Sequence, residues 1–253
     1  AEKLAQKAGK LLLAKFGKSK IAVEKGANDF ATDADLASEK LIVAELRKNF
    51  PDDGILAEES WHEFDPRKRN WVIDPLDGTK NFHFGLPNWC VSIALRENDE
   101  SVVGVIFVPI SNQLFSARKN GGAKLNDKKI RVSSTVKIGD SLVLVEIPRR
   151  HTSGNRFKKD VSAFTKSLEK IRRVRAFASA ASDLALVARG AADAYLDFSR
   201  NTKIWDVAAG ELLIREAGGE ISDATPPNLQ FPNVSILATN GKLHREMKSL
   251  LES

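Results

Sequence analysis

Leu4, Ala8, Leu11 and Leu12 recur at helical spacing and Gly17 follows, which predicts a helix over 2–16. A second helix is predicted over about 34–49, with Ala37, Leu41, Ala44 and Lys48 along one side and Pro51 beyond its end. The pattern then shortens to that of strands, at 71–74, 89–96, 102–108 and 113–117. Asn120-Gly121 and Asn126-Asp127 mark tight turns after them. The second half mixes both patterns. Strands are predicted over 142–147, 194–198 and 234–239. Helices are predicted over 157–168, over 182–189 before Gly190, over 207–217 before Gly218-Gly219, and at the C-terminal end. Strands and helices mixed without strict alternation point to an α/β (α+β) chain of stacked layers, not a doubly wound sheet or a barrel.

Composition narrows the class. The 253 residues are 42% hydrophobic and 28% charged, the balance of a globular protein, and residues 1–253 are expected to form a single domain. No apolar run approaches the roughly 20 residues of a membrane span, and Leu11 to Ala14 is too short for a signal peptide's apolar region. Cys90 is the one cysteine, so no internal disulfide forms, and a reducing, cytoplasmic setting is expected. Beside Val91, Ile93 and Leu95 it reads as a small buried residue. The net charge of +6 raises the question of nucleic acid. The densest basic stretches, Arg67-Lys68-Arg69 and Lys170 to Arg175, have no interleaved aromatics, and no DNA-binding motif spacing occurs. A solvated basic face is the first reading, and a positive field that attracts an acidic substrate is the second. Neither a nucleic-acid nor a membrane partner is expected.

The chemistry concentrates in Trp71-Val72-Ile73-Asp74-Pro75-Leu76-Asp77-Gly78-Thr79-Lys80-Asn81-Phe82. An apolar strand delivers Asp74, Pro75 is expected to stop it, and Asp77-Gly78 forces a turn. Two carboxylates converging across such a turn repel each other unless a cation lies between them. Oxygen donors without a His or Cys cluster favour magnesium or manganese over zinc. The amides of Gly78 and Thr79, if they open a helix, face a phosphate. Two other segments add acids: Ala57-Glu58-Glu59-Ser60, and Trp205-Asp206-Val207-Ala208-Ala209-Gly210, where Asp206 also reads as a helix cap. His62, His83, His151 and His244 show no ligand spacing and are read as structural.

Taken together these segments resemble the inositol monophosphatase family, magnesium-dependent and lithium-sensitive phosphatases. The resemblance covers nearly the whole chain. It rests on the Glu-Glu loop, the Asp-Pro-Leu-Asp-Gly-Thr-Lys-Asn-Phe stretch and the late Trp-Asp motif, in that order. Asp29 to Asp35, Gly121-Gly122-Ala123 and Glu216-Ala217-Gly218-Gly219 also look like family positions. The resemblance implies a layered αβαβα sandwich of the sugar-phosphatase type, usually a homodimer. It implies that Glu58, Asp74 and the Leu76 carbonyl hold one magnesium and Asp74, Asp77 and Asp206 a second, with Glu58 at a weaker third. Thr79, with Glu58, would orient and deprotonate the attacking water, and Asp33 would accept from the Thr79 hydroxyl. Substrate contacts are implied for Asp77, Gly78, Thr79, Ser179, Ala180, Asp197 and Asp206.

The implied reaction is hydrolysis of a small polyol or sugar phosphomonoester, first of all myo-inositol 1-phosphate. The stretch 198–204 is about two residues longer than in typical members, and it carries Arg200 and Lys203. That length resembles the archaeal-type enzymes that also accept fructose 1,6-bisphosphate, with Arg200 and Lys203 positioned to hold a second phosphate. 3′-Phosphoadenosine 5′-phosphate and histidinol phosphate are further alternatives, as is a catalytically silent binding protein of the same fold.

Overall fold

The computed structural model describes all residues except 27–28, 61–64, 66–67, 149–153, 200, 224–232, 235 and 253. Helices α1 (Glu2–Lys15) and α2 (Asp33–Asn49) flank a hairpin of β1 (Ile21–Gly26) and β2 (Asp29–Thr32). Strands β3 (Gly54–Ala57) and β4 (Asn70–Asp77) lead to the short helix α3 (Thr79–His83). Then come β5 (Cys90–Glu97), β6 (Glu100–Val108), β7 (Gln113–Arg118), β8 (Gly122–Leu125) and β9 (Lys128–Lys129). Strands β3 to β9 form a seven-stranded sheet in chain order, parallel between β3 and β4 and antiparallel in the pairs after them. The expected turns are present: Asn120, Asn126 and Asp127 all take positive φ.

The second half supplies β10 (Leu142–Glu146), α4 (Gly154–Lys170), β11 (Arg173–Arg175), α5 (Ala180–Ala188), β12 (Ala194–Asp197) and β13 (Thr202–Lys203). It ends with α6 (Ile204–Glu216), β14 (Glu220–Asp223), β15 (Asn233–Val234), β16 (Ile236–Thr239) and α7 (His244–Glu252). A second sheet has the order β11-β10-β12-β16-β14. The strand predicted over 234–239 is divided: β15 pairs with β13, whereas β16 pairs with β12 and β14.

Three apolar cores separate five layers. One lies between α1, α2 and the first sheet, around Leu12, Ile42, Ile73 and Trp89. A second surrounds α5 and α6 between the sheets, around Leu184, Tyr195, Val207 and Leu213. The third joins the second sheet to α4 and α7 through Ala163, Leu196, Met247 and Leu250. The order is therefore αβαβα. Glycines let the central layer close: a Cβ on Gly210 would lie 2.5 Å from Leu184 Cδ1, and one on Gly104 would lie 2.7 Å from the Ala209 carbonyl. In α2 the expected apolar side is wrong. Ala44 and Lys48 are exposed, and the buried side carries Ala34, Asp35, Ser38, Glu39, Ile42 and Leu46. Its polar members face the loops of the site.

Candidate active site

A regular strand turns residues three apart to opposite faces, which would separate Asp74 from Asp77. Pro75 does not end β4 as expected. The strand runs on to Asp77, and Asp74 to Asp77 spans the distance from Ser92 to Cys90 on β5, three steps against two. This bulge tolerates a residue without an N–H and re-aims the side chain after it. Oxygens of Asp74, Asp77 and Asp206 consequently lie within 4.8 Å of one another. Gly78 completes the turn at φ 87°, where a Cβ would meet the Asn88 carbonyl at 2.7 Å.

Each of the three carboxylates is held by main chain. The Leu76 N–H donates to Asp74 Oδ1 at 2.9 Å. Asp77 Oδ2 accepts from the Ala181 N–H at 2.8 Å and from Ser179 Oγ at 2.6 Å. Buried Cys90 also points its thiol at that oxygen, 3.6 Å away. Helix α6 starts three residues earlier than predicted, so Asp206 stands in its first turn and accepts from the Lys203 N–H at 2.7 Å. Asp206 is thus both the expected cap and a member of the cluster. Asn81 donates to the carbonyls of Asn88 at 2.7 Å and Phe177 at 2.6 Å. It ties α3 to the turn at Ala178, which takes the left-handed φ of 56° immediately before Ser179.

The electrostatics of this cluster call for a cation. Burial pushes the Asp74 and Asp206 carboxyls well above their ordinary range, and repulsion from neighbouring carboxylates adds to it. Burial likewise raises Asp77 to about 6. Glu58 is raised by burial and partly restrained by Lys25, whose Nζ is 3.0 Å from its Oε1. Lys25 also meets Glu59 at 2.8 Å, and Glu59 rises to about 7 through burial and then the Glu58 charge. Burial works to lower Lys25, yet these two glutamates hold it above its usual value. An all-oxygen set of buried, mutually repelling carboxylates fits magnesium or manganese.

Thr79 stands beside this cluster, but its expected partner is corrected. Its hydroxyl donates to Asp35 Oδ1 at 2.8 Å, with the Leu76 carbonyl at 3.0 Å. Asp33 instead accepts from the Lys20 N–H and pairs with Lys15 outside the cluster. The two aspartates are two positions apart, and the first turn of α2 sends only Asp35 inward. The Asp35 carboxyl is fully buried, raised by that burial, and held by Thr32.

A cavity of about 260 Å³ opens over the cluster, lined among others by Glu58, Asp74, Asp77, Gly78, Thr79 and Asp206. Ala180 and Lys203 line it as expected, and Ser179 lies just behind, on Asp77. Asp197 does not line it. Its carboxylate accepts from the Ser199 N–H at 2.7 Å, Ser199 Oγ at 2.6 Å and Thr202 Oγ1 at 2.7 Å, fastening its own loop. Arg200 lies outside the described residues. Sequence reasoning missed Lys25, Lys80, Glu146, Tyr195 and Asn201, which also line the cavity. No motif marks these residues; strand pairing brings Glu146 beside Asp197, and the β1–β2 hairpin presents Lys25. His83 packs its ring between Phe30 and Phe84, and His244 contacts Ser222 and Thr239, whereas His62 and His151 lie outside the described residues.

A buried carboxylate cluster at the mouth of an αβαβα sandwich defines a hydrolase of the metal-dependent phosphatase class. The profile of the inositol monophosphatase family matches residues 1–253. A protein of Xylella fastidiosa named Nus factor SuhB is 45% identical over 224 residues, 87% of this chain and 79% of its own. The fructose-1,6-bisphosphatase/inositol-1-monophosphatase of Thermotoga maritima is 34% identical over 247 residues, 97% of this chain and 91% of its own. The crystal structure of the extragenic suppressor protein SuhB of Bartonella henselae superposes with a TM-score of 0.90 at 35% identity, covering 99% of this chain and 96% of the other. The chain belongs to the inositol monophosphatase family and is a phosphoric monoester hydrolase. The family is magnesium-dependent in general and acts on small phosphorylated substrates. Among the described residues no helix is long and apolar enough to cross a membrane.

Proposed function

We propose that this chain, as one domain over 1–253 and as a cytoplasmic homodimer, hydrolyses myo-inositol 1-phosphate, with fructose 1,6-bisphosphate as a second substrate. The observation that carries the reading is the convergence of Asp74, Asp77 and Asp206 within 4.8 Å beneath a polar cavity. Glu58, Asp74 and the Leu76 carbonyl would hold one magnesium, Asp74, Asp77 and Asp206 the second, and Glu58 a weaker third. When bound, magnesium supplies positive charge against the phosphate oxygens and makes water more acidic. Every other part belongs to the chain itself. Thr79 Oγ1 donates its proton to Asp35 and so turns its lone pairs toward the cavity. There it accepts from the attacking water, and Glu58 takes the proton. Gly78 and Thr79 bound the phosphate end, whereas Ser199, Asn201 and Glu146 face the polyol hydroxyls.

Lys203 lines the cavity at its polyol end, and with Arg200 it supports a second phosphate there. The Thermotoga relative, named for both activities, supports the dual reading. The Xylella relative's name supports a second reading, a partner-binding role of the same fold. Phosphate release from a panel of inositol 1-phosphate, fructose 1,6-bisphosphate, 3′-phosphoadenosine 5′-phosphate and histidinol phosphate, with and without magnesium, tests both. Preference for either of the last two refutes the substrate assignment, and no release from any leaves the binding role.

A further inference from the structure

The charge of this protein is not spread over it. Residues 154–175 hold eight basic and two acidic residues, a net charge equal to the +6 of the whole chain, which leaves 31 of each sign elsewhere. This segment is α4 and β11. Helix α4 belongs to the outermost layer, on the side of the second sheet away from α5 and α6. Strand β11 is that sheet's edge, and its Arg173 pairs with Leu142, the opposite end of β10 from cavity-lining Glu146. The concentrated charge therefore does not surround the cavity mouth, so attraction of a small anionic substrate does not account for it.

Local neutralisation does not account for it either. Arg156 has Asp160 at 3.9 Å and Arg172 has Asp140 at 3.6 Å. Exposed Lys158, Lys159, Lys170, Arg173 and Arg175 have no acidic partner among the described residues. Arginines on an edge strand guard it against pairing with another sheet, but that covers only Arg173 and Arg175. Helix α4 has 17 residues, a length of about 25 Å that matches roughly seven base pairs of duplex. The segment's aromatics, Phe157 and Phe164, are partly buried, and Phe164 packs on Phe198 at 5.4 Å, so no ring is presented for stacking unpaired bases.

We propose that the α4–β11 face binds the phosphate backbone of a nucleic-acid duplex without reading its sequence. This replaces the expectation, drawn from the sequence, that the basic stretch is merely solvated. Contacts to phosphate alone give affinity that is independent of sequence and falls steeply with salt.

Fluorescence anisotropy of labelled RNA and DNA duplexes of about 20 base pairs tests this between about 50 and 200 mM KCl. With five phosphate contacts, affinity should fall about 500-fold across that range, whatever the base sequence. The quadruple variant Lys158→Gln, Lys159→Gln, Arg173→Gln, Arg175→Gln should bind weakly and lose only about 4-fold. It should keep wild-type Tm and phosphatase activity. A control variant, Lys3→Gln, Lys10→Gln, Lys18→Gln, Lys48→Gln, removes the same charge elsewhere and should keep the wild-type salt dependence. Equal losses in the two variants would overturn the proposal, because net charge and not this face would then be responsible. Tighter binding of a single strand, or of polyglutamate as an acidic-protein mimic, would overturn it too, as would no binding at the lowest salt.

Discussion

The two walls of the cavity are built differently. On the metal side, Asp74, Asp77 and Asp206 each accept a main-chain N–H, from Leu76, Ala181 and Lys203, and come from a bulged strand and a helix's first turn. On the polyol side, Ser199, Asn201, Thr202 and Lys203 come from a loop that Asp197 fastens from within. Backbone-held carboxylates cannot turn away from one another, so their repulsion persists until a cation relieves it. Loop side chains can change without disturbing that arrangement. Charge chemistry is thus fixed in the elements of the fold, and choice of substrate is left to the loop.

The comparison breaks first at Asp206. Asp206→Asn keeps the shape and the cap geometry but removes a charge from the metal-side wall. Turnover with saturating magnesium should fall roughly a thousandfold or more, since several kcal/mol of transition-state stabilisation is lost. Near-normal turnover in a folded variant would remove Asp206 from the metal set.

Thr79 sharpens the contrast between its two candidate partners. Thr79→Ala should lower kcat by about a hundredfold or more and change KM little, because the hydroxyl acts on the water. Asp35→Asn should follow it, whereas Asp33→Asn should leave kcat within a factor of about two, a surface effect. If Asp33→Asn proves the damaging change, the Thr79–Asp35 bond is not the working one. A fall in Tm of the Thr79→Ala protein without a fall in kcat would reduce Thr79 to a structural role.

The same asymmetry explains what the sequence disclosed. Asp74, Asp77 and Asp206 sit inside contiguous motifs, because a bulged strand and a helix turn are local structures. Glu146, Lys25 and Asn201 reach the cavity by strand pairing and hairpin placement, which no local spacing encodes. The layers were legible from the alternation of strand and helix periods. The inward side of α2 was not, because Asp35, Ser38 and Glu39 are buried there to bond Thr79, the Pro75 carbonyl and the Glu59 N–H. A side built to hold site loops does not look apolar. Choosing Asp33 over Asp35 failed for the same reason: the choice rests on helix phase, which the disguised stripe concealed.

On the polyol side the effects should be smaller and selective. Lys203→Ala should cut kcat/KM for fructose 1,6-bisphosphate by about tenfold, the loss of one charge-assisted hydrogen bond. Hydrolysis of inositol 1-phosphate should change by less than about threefold, because loss of a contact it does not make costs little. Arg200→Ala is expected to act in the same direction. Equal losses on the two substrates would dissociate this loop from a second phosphate.

The smallest effect, a shift of several degrees in melting temperature, tests the metal side without catalysis. Burial raises Asp77 to about 6 and Glu59 to about 7, above the ordinary carboxylate values of about 4. Between about pH 4 and 7 the metal-free folded protein therefore holds protons that the unfolded chain has released. That contribution to stability is complete below the unfolded values and is lost as pH rises through 6 to 7. Metal-free Tm should fall from pH 5 to pH 8. Magnesium binds the deprotonated carboxylates, so its stabilisation should grow over the same range. At a hundred times its Kd it contributes about 2.7 kcal/mol, roughly 5 to 10 °C for a chain of this size. Asp74→Asn, with one charge fewer, should melt above wild type without metal and respond less to pH. A wild-type Tm indifferent to pH, to magnesium and to chelator would mean that the four carboxylates do not share a cation.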